Sequence, residues 1–234
     1  MPKYNIKDYI KVMRPLPDNV RRGKYGIPFI EKQEIDISRL TNGLELISIN
    51  NVSKKDKHPE RKIVHSFHYD KILLREYNDP IRFLEKTAKY YALSTFDFSM
   101  HFGMSEAQII NAVFMNRWIG AFAQAHGRKV IICVSWVRSD TYDICFEGIT
   151  DGCVLIISTL GVNNEECYDD FINGYNEMRK RFPYSKVICV GQRLSGMHDD
   201  VCYIDYVQSF GNKDKYYDYW QPRLFNWDFS EVDE

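Results

Sequence analysis

The chain lacks the features that would place it in a membrane or outside the cell. No stretch approaches the roughly 18 uncharged apolar residues of a membrane-spanning helix, and the opening "MPKYNIKDYIKV" has neither the apolar segment nor the small-residue cleavage site of a secretory signal. CxxC pairs are absent too: all six cysteines fall between Cys133 and Cys202, mostly inside apolar runs such as "VIICV" and "KVICV". That spacing argues against a disulfide framework and against zinc, so no metal site is expected; the thiols read as small buried hydrophobes in a reducing compartment. A cytoplasmic protein without membrane contact is the expectation. Charge of one sign is lacking as well. With a net charge of −1, nothing in the whole-chain balance calls for nucleic acid, a membrane or an acidic ligand. There is no low-complexity tract, no internal repeat and no Ser/Gly-rich linker.

What is present is enough for one core: 234 residues, 44% hydrophobic and 27% charged, bury a single domain well and two poorly. Local charge is uneven. Residues 1–43 carry an excess of Lys and Arg, "SKKDKHPERK" adds a second basic stretch, and the chain ends in the acidic "DFSEVDE". These read as solvated loops and termini. Pro2, Pro15, Pro17 and Pro28, with Gly23 and Gly26, break any long helix before Gly43, so residues 1–43 are expected to wrap the core as an irregular arm. The core proper is assigned to residues 44–210. The aromatic and acidic tail 211–234, with "KYYDYWQPRLFNW", is expected to pack on it.

Strand-length apolar runs recur through the core as "LELISIN", "KIVHSFHYD", "YALSTFDFS", "KVIICVSW", "YDICFEGI", "VLIISTLG", "KVICVGQ" and "CYIDYV". Helical stretches separate several of them. In "SEAQIINAVFMNRWIGAFAQAHG", Ser105 and Gln108 fit a capping box and Gly127 a stop. "EECYDDFINGYNEMRKRFP" has acids in its first turn, bases in its last and Pro183 beyond; "DPIRFLEKTAKYY" is weaker. Strand and helix in alternation predict an α/β fold with a mainly parallel sheet, barrel-like or an incomplete (β/α) barrel. The stretch "VSWVRSDTYDICFEGITDGCVLIIST" has no room for full helices, so either short turns replace them or one run is a hairpin.

Side-chain alternation sorts each run into two faces. Thr95, Asp97 and Ser99 share one face, as do Ser66, His68 and Asp70 opposite Ile63, His65 and Phe67, then Cys133 and Ser135, and Cys145 and Glu147. The small, polar face is expected to point inward, with its C-terminal layer forming a ligand-binding mouth. Asp97 and Glu147 are the candidate catalytic pair, one carboxyl kept protonated by burial and the other ionised, as hydrolysis of a glycosidic or similar bond requires. The candidate substrate-binding residues are His68, Ser99, Ser135, Arg117, Gln192 and Gly161. Arg117 interrupts an otherwise apolar helix, and its fork suits a carboxylate or phosphate, although a structural ion pair would use it equally well. Gly161 stands at a strand-to-helix turn where a helix N-terminus offers backbone N–H groups to an anion. Arg21, Arg22 and Lys24 of the arm would follow a nucleic-acid backbone if one is bound.

The segments "IPFIEKQEIDISRLTNGLELISINN", "FDFSM", "NRWIGAFAQAHGRKVIICVSW", "CFEGI" and "STLGV" resemble a family called domain of unknown function 4417, over about Ile27 to Gln192. The resemblance implies an accessory role in a phage, plasmid or other mobile element of bacteria and archaea, and it brings no catalytic residue. Together these readings favour a hydrolase-like enzyme for a small polar or sugar-like substrate. A nucleic-acid-associated accessory protein and a protein-binding or ligand-sequestering module are the alternatives. Cofactor and oligomeric state stay open.

Overall fold

Short runs rich in Ile and Val become the strands of one curled sheet. They are β1 (Glu45–Ser48), β2 (Lys62–His65), β3 (Ala92–Ser94), β4 (Val130–Cys133), β5 (Val154–Ser158), β6 (Lys186–Val190) and β7 (Cys202–Ile204). Every neighbouring pair is parallel, and the order across the sheet follows the order along the chain. The architecture is an α/β half-barrel, seen in a computed structural model that describes residues 5–162 and 164–209. The tail 211–234 and its expected packing lie outside the described residues.

The helices are α1 (Ile6–Met13), α2 (Asp70–Asn78), α3 (Pro80–Lys86), α4 (Glu106–Ala125), α5 (Tyr142–Cys145), α6 (Glu165–Arg181) and α7 (Tyr206–Ser209). The capping box opens α4 as its sequence predicts: Gln108 N–H donates to Ser105 Oγ (3.4 Å) and Ser105 N–H to Gln108 Oε1 (2.9 Å). Asn164 caps α6 by accepting from Cys167 N–H at 2.8 Å. On the convex side of the sheet, Val64, Leu93, Ile132, Leu155 and Val187 pack with residues of α2, α3, α4 and α6.

Three expectations change on folding. The run "YDICFEGI" is not a strand: a 3₁₀ turn at Ser139–Thr141 leads into α5. Strand β4 already has β3 and β5 as its two neighbours, so no sheet edge is left for a hairpin there. The arm is not irregular throughout. Two turns of helix fit between Pro2 and Pro15, started by Asn5, which accepts from Lys7 N–H at 3.1 Å, and ended by Arg14 in the left-handed region (φ 48°). Finally, the β2 run stops at His65, and α2 begins five residues later with no side-chain cap to announce it.

The arm explains why α4 is apolar nearly all round. Trp118 Nε1 donates to Arg14 O (2.7 Å), and Gln124 exchanges hydrogen bonds of 3.0 and 2.7 Å with the Glu31 backbone, so α4 lies between sheet and arm. Ile30 is fully buried against it. A methyl group at Gly120 would stand 2.4 Å from Ile30 Cδ1 and 2.6 Å from Thr95 Cγ2. Gly120→Ala therefore sets about 1 kcal/mol of gained helix propensity against overpacking that costs ~1–3 kcal/mol. Because Thr95 is β-branched and its hydroxyl accepts from Cys133 N–H at 2.8 Å, it cannot swing away, and a net loss of stability is expected in a denaturant titration.

Candidate functional site

The concave face of the half-barrel has two layers. In the lower one, Leu46, Ile63, Ala92, Ile131, Val154 and Ile188 meet Ile35, Ile37 and Leu40, which the arm inserts as a plug. That plug reverses one expectation. Because apolar residues fill the interior, polarity does not mark the inside, and at β2 it is Ile63, with His65 by alternation, that points inward while Val64 meets the helices.

Polar groups gather in the upper layer, at the C-terminal ends of β1 to β4. Ser48 pairs in register with His65, and the same register carried on sets His65 beside Ser94. Ser48 is fully buried, and its Oγ has no hydrogen-bond partner among the described residues. His65 Nδ1 accepts from Phe67 N–H (3.3 Å), which leaves the proton on Nε2 to donate to Ser209 O of α7 at 2.9 Å. Burial lowers the His65 pKa to about 4, so the ring is neutral at pH 7.

Asp97 stands next in this layer. Its backbone N–H donates to Ser66 Oγ (3.1 Å), which also accepts from Ser94 Oγ (3.0 Å) and donates to Thr95 O. Thr95 does not share the face of Asp97 as expected: alternation from Leu93 turns it toward α4, and the alternation breaks only at Phe96, which packs on Phe83 of α3. The Cys133 thiol and the Ser135 hydroxyl lie beside the Asp97 carboxyl and act to lower its pKa. Part of the residue reaches solvent, yet desolvation outweighs those two groups and raises the carboxyl pKa to about 6; the Asp70 charge adds to the rise. The Cys133 thiol is pushed well above its ordinary value, first by burial and then by the Asp97 charge.

The other predicted residues fall around this centre at different distances from it. Ser99 is exposed and donates through both N–H and Oγ to Asp70 Oδ1 (3.1 Å each), which clamps the β3–α4 loop to the start of α2. His68 is half-buried in the loop before α2, where Tyr69 N–H donates to its Nδ1 (2.8 Å), and burial lowers its pKa. Tyr69, next to Asp70 in the chain, and Phe102, three residues past Ser99, are both about half exposed. Gln192 is exposed just past β6, its carbonyl accepting from Thr159 Oγ1 at 2.9 Å. Gly161 has φ 93° in the turn before α6, where Glu165 and Glu166 already occupy the first helical turn.

Glu147 and Arg117 serve other contacts. Tyr25 N–H of the arm donates to Glu147 Oε1 at 2.9 Å, and a methyl group at Gly23 would stand 2.2 Å from that oxygen, so the carboxylate lies in a niche that only glycine leaves open. The acidic neighbour that acts on Asp97 is Asp70. Arg117 is buried and donates to three backbone carbonyls, Glu147 O (3.1 Å), Cys133 O (3.1 Å) and Cys145 O (3.0 Å), and to Asn116 Oδ1. A cavity of about 10 Å³, room for one water, touches Arg117, Asn116 and Ser135. In the arm, Arg21 stacks on Phe29 (3.6 Å to the ring centroid) and pairs with Glu31 at 3.4 Å, Arg22 reaches Gly26 O (3.4 Å), and Lys24 reaches the Tyr25 hydroxyl (3.3 Å). Sequence reasoning assigned no site role to His65, Ser48, Cys133, Ser66 or Asp70. The polar parity of Ser66 and Cys133 was the available signal.

Among the described residues no group of three or more His, Cys, Asp or Glu side chains is placed to hold a metal ion, and no helix is long and apolar enough to cross a membrane. Residues 21–207 match the family described as domain of unknown function (DUF4417). The chain belongs to that family. Two curated relatives are phage proteins. The Gene 1 protein of Mycobacterium phage L5 is 32% identical over 117 residues, 50% of this chain and 51% of that protein. The Gene 1 protein of Mycobacterium phage D29 is 33% identical over 90 residues, 38% of this chain and 33% of that protein. The matched region thus spans about half of one relative and a third of the other. No solved structure matches significantly.

The raised Asp97 pKa has a definite sign. Between the unfolded value of 3.8 and the folded value of about 6 the native state holds more protons than the unfolded chain. The proton form carries no penalty at low pH, and stability is lost as pH rises through that window. Asp97→Asn keeps an acceptor for Ser135 and removes the charge, so it is expected to stabilise the protein by ~1–3 kcal/mol at pH 8 and to give no gain at pH 4. His65, with its lowered pKa, destabilises both proteins alike below about pH 6.5, so the difference between paired urea titrations at the two pH values is the quantity to measure.

Proposed function

We propose that the rim at the C-terminal ends of β2, β3 and β4 binds a small, ring-bearing polar ligand of sugar-like character, and that Asp97 is its proton acceptor. The observation that carries this reading is the Asp97 carboxyl at the C-terminal end of the strands, beside the Cys133 thiol and the Ser135 hydroxyl and with no ion-paired cation among the described residues. A carboxylate offers about four lone-pair sites, so two neighbours leave capacity for a ligand hydroxyl or a water. A pKa near 6 suits a general base at neutral pH, since the group is ionised yet still basic enough to take a proton. The reaction class that fits is hydrolysis, with Asp97 drawing the proton from water as the water attacks. Exposed Phe102, three residues beyond Ser99 of the Asp70–Ser99 clamp, supplies a face on which a sugar or other ring packs. Glu147 has no part in this reading, because its carboxylate is committed to the arm. An accessory role in a mobile element agrees with the phage origin of the relatives.

The test is a thermal-shift panel of mono- and disaccharides, nucleosides and polar metabolites at pH 7.5. A true ligand should raise the melting temperature of the wild-type protein and leave Asp97→Asn unmoved, because a ligand stabilises only the state that binds it. Equal shifts in both proteins, or none in the wild type across the panel, would overturn the proposal.

A further inference from the structure

The basic stretch "SKKDKHPERK" forms one wall of a cavity that the rim does not use. It lies at the opposite end of the sheet, since Lys62 opens β2 and Tyr90 comes just before β3. The cavity, of about 210 Å³, is lined by Ser53, Lys54 and Asp56 on one side, and by Glu85, Lys86 and Lys89 at the end of α3 on the other, with Tyr90 between. Its wall is preformed. The buried Tyr90 hydroxyl accepts from Ser53 N–H (3.1 Å) and donates to Asp56 Oδ2 (3.1 Å), which fixes the basic loop against the sheet.

The charges around this space do not balance within the described residues. Asp56 is spent on Lys62, whose Nζ lies 2.7 and 2.9 Å from its two oxygens, and on His58 N–H at 3.1 Å. Its pKa is lowered despite burial, so it stays ionised and paired. Lys86 lies 3.6 Å from Glu76, but the same carboxylate already takes Arg75 at 2.9 Å and Arg82 at 3.6 Å, so three cations share one buried anion. Lys54 and Lys89 form no ion pair among the described residues, and Glu85 is the one further acid in the lining. The C-terminal carbonyls beyond α3 would contribute negative potential. Arg128 cancels it by donating to Ala88 O (2.6 Å), Thr87 O (2.7 Å) and Tyr90 O (3.0 Å).

We propose that this cavity is an anion site that takes a phosphate group, held by Lys54, Lys86 and Lys89. Three flexible ammonium groups around a preformed pocket suit a compact, multiply charged anion, because lysine binds phosphate as a point charge that needs no planar fork. The cavity admits a phosphate with a small organic part attached. Two sources carry that chemistry, a free phosphorylated small molecule and a nucleic-acid backbone.

Calorimetry with inorganic pyrophosphate and fluorescence anisotropy with a short labelled oligonucleotide, both at low salt, separate the sources. They are run on the wild-type protein, on Lys54→Glu/Lys89→Glu, and on Lys180→Glu as a control at a site 80% exposed on α6. The wild type should bind at least one probe, the double variant should bind it about tenfold more weakly or worse, and the control should match the wild type. Tight pyrophosphate binding without oligonucleotide binding supports a free phosphorylated ligand; tighter oligonucleotide binding with a steep salt dependence supports a nucleic-acid backbone. Both lysines are exposed, so the variant is expected to fold; if its melting curve shows otherwise, Lys54→Gln/Lys89→Gln replaces it. Neither probe binding the wild type, equal binding by the double variant, or an equal loss in Lys180→Glu would overturn the proposal.

Discussion

A guanidinium with no carboxylate partner among the described residues holds the half-barrel together at its shortest helical crossover. Parallel strands require a return connection, usually a full helix whose own hydrogen bonds satisfy its backbone. Between β4 and β5 the chain supplies only a 3₁₀ turn and the four-residue α5. The carbonyls of Cys145 and Glu147 therefore lack the donor partners that a longer helix would bring. Arg117 provides them from α4, and also reaches Cys133 O at the end of β4. A buried charge with no counterion is costly, and burial lowers the Arg117 pKa to about 10, still well above neutrality. The cost is offset by oriented carbonyl dipoles from three points of the backbone, which a fork with five donors can reach at once.

This contact also shows what could and could not be read from the sequence. An arginine amid apolar residues on α4 announces a buried polar partner, but periodicity cannot say whether that partner is a carboxylate, a ligand or backbone. The strand and helix alternation was legible, as were the capping box at Ser105 and the end of α6, because each rests on local chemistry within a few residues. The run "YDICFEGI" was not, since its composition suits a strand and only the prior occupation of both edges of β4 forbids one. Helix α2 was hidden for a related reason: nothing caps it, and its buried Glu76 is made tolerable by Arg75, Arg82 and Lys86 from two helices.

Face assignment failed where the arm intervenes. In a closed barrel the interior is filled by the strands' own side chains, whereas here Ile35, Ile37 and Leu40 enter from outside the sheet and make the lower interior apolar. Polarity then marks height along the barrel axis rather than inside against outside. Asp97 was assigned inward by parity with Thr95, but Thr95 turns toward α4, and Asp97 lies past the end of β3, where parity no longer applies. Glu147 could not be placed, because its position depends on Gly23 and Tyr25, more than a hundred residues earlier in the chain.

The same geometry ties the stability of the crossover to the electrostatics of the mouth through one residue. The Cys133 carbonyl accepts from Arg117 and Asn116, while its thiol lies beside Asp97. The two charges act on that thiol in opposite senses, Asp97 raising its pKa and Arg117 lowering it. The raising effect dominates, together with burial, so the Cys133 thiol stays neutral beside Asp97. A cation in that position would hold the carboxyl ionised and weakly basic. With Arg117 turned toward the backbone and only a thiol and a hydroxyl facing Asp97, the carboxyl stays close to the pH at which it exchanges protons. The Asp97 pKa is accordingly set first by burial, while Arg117 spends its donors on the carbonyls of the short β4–β5 crossover.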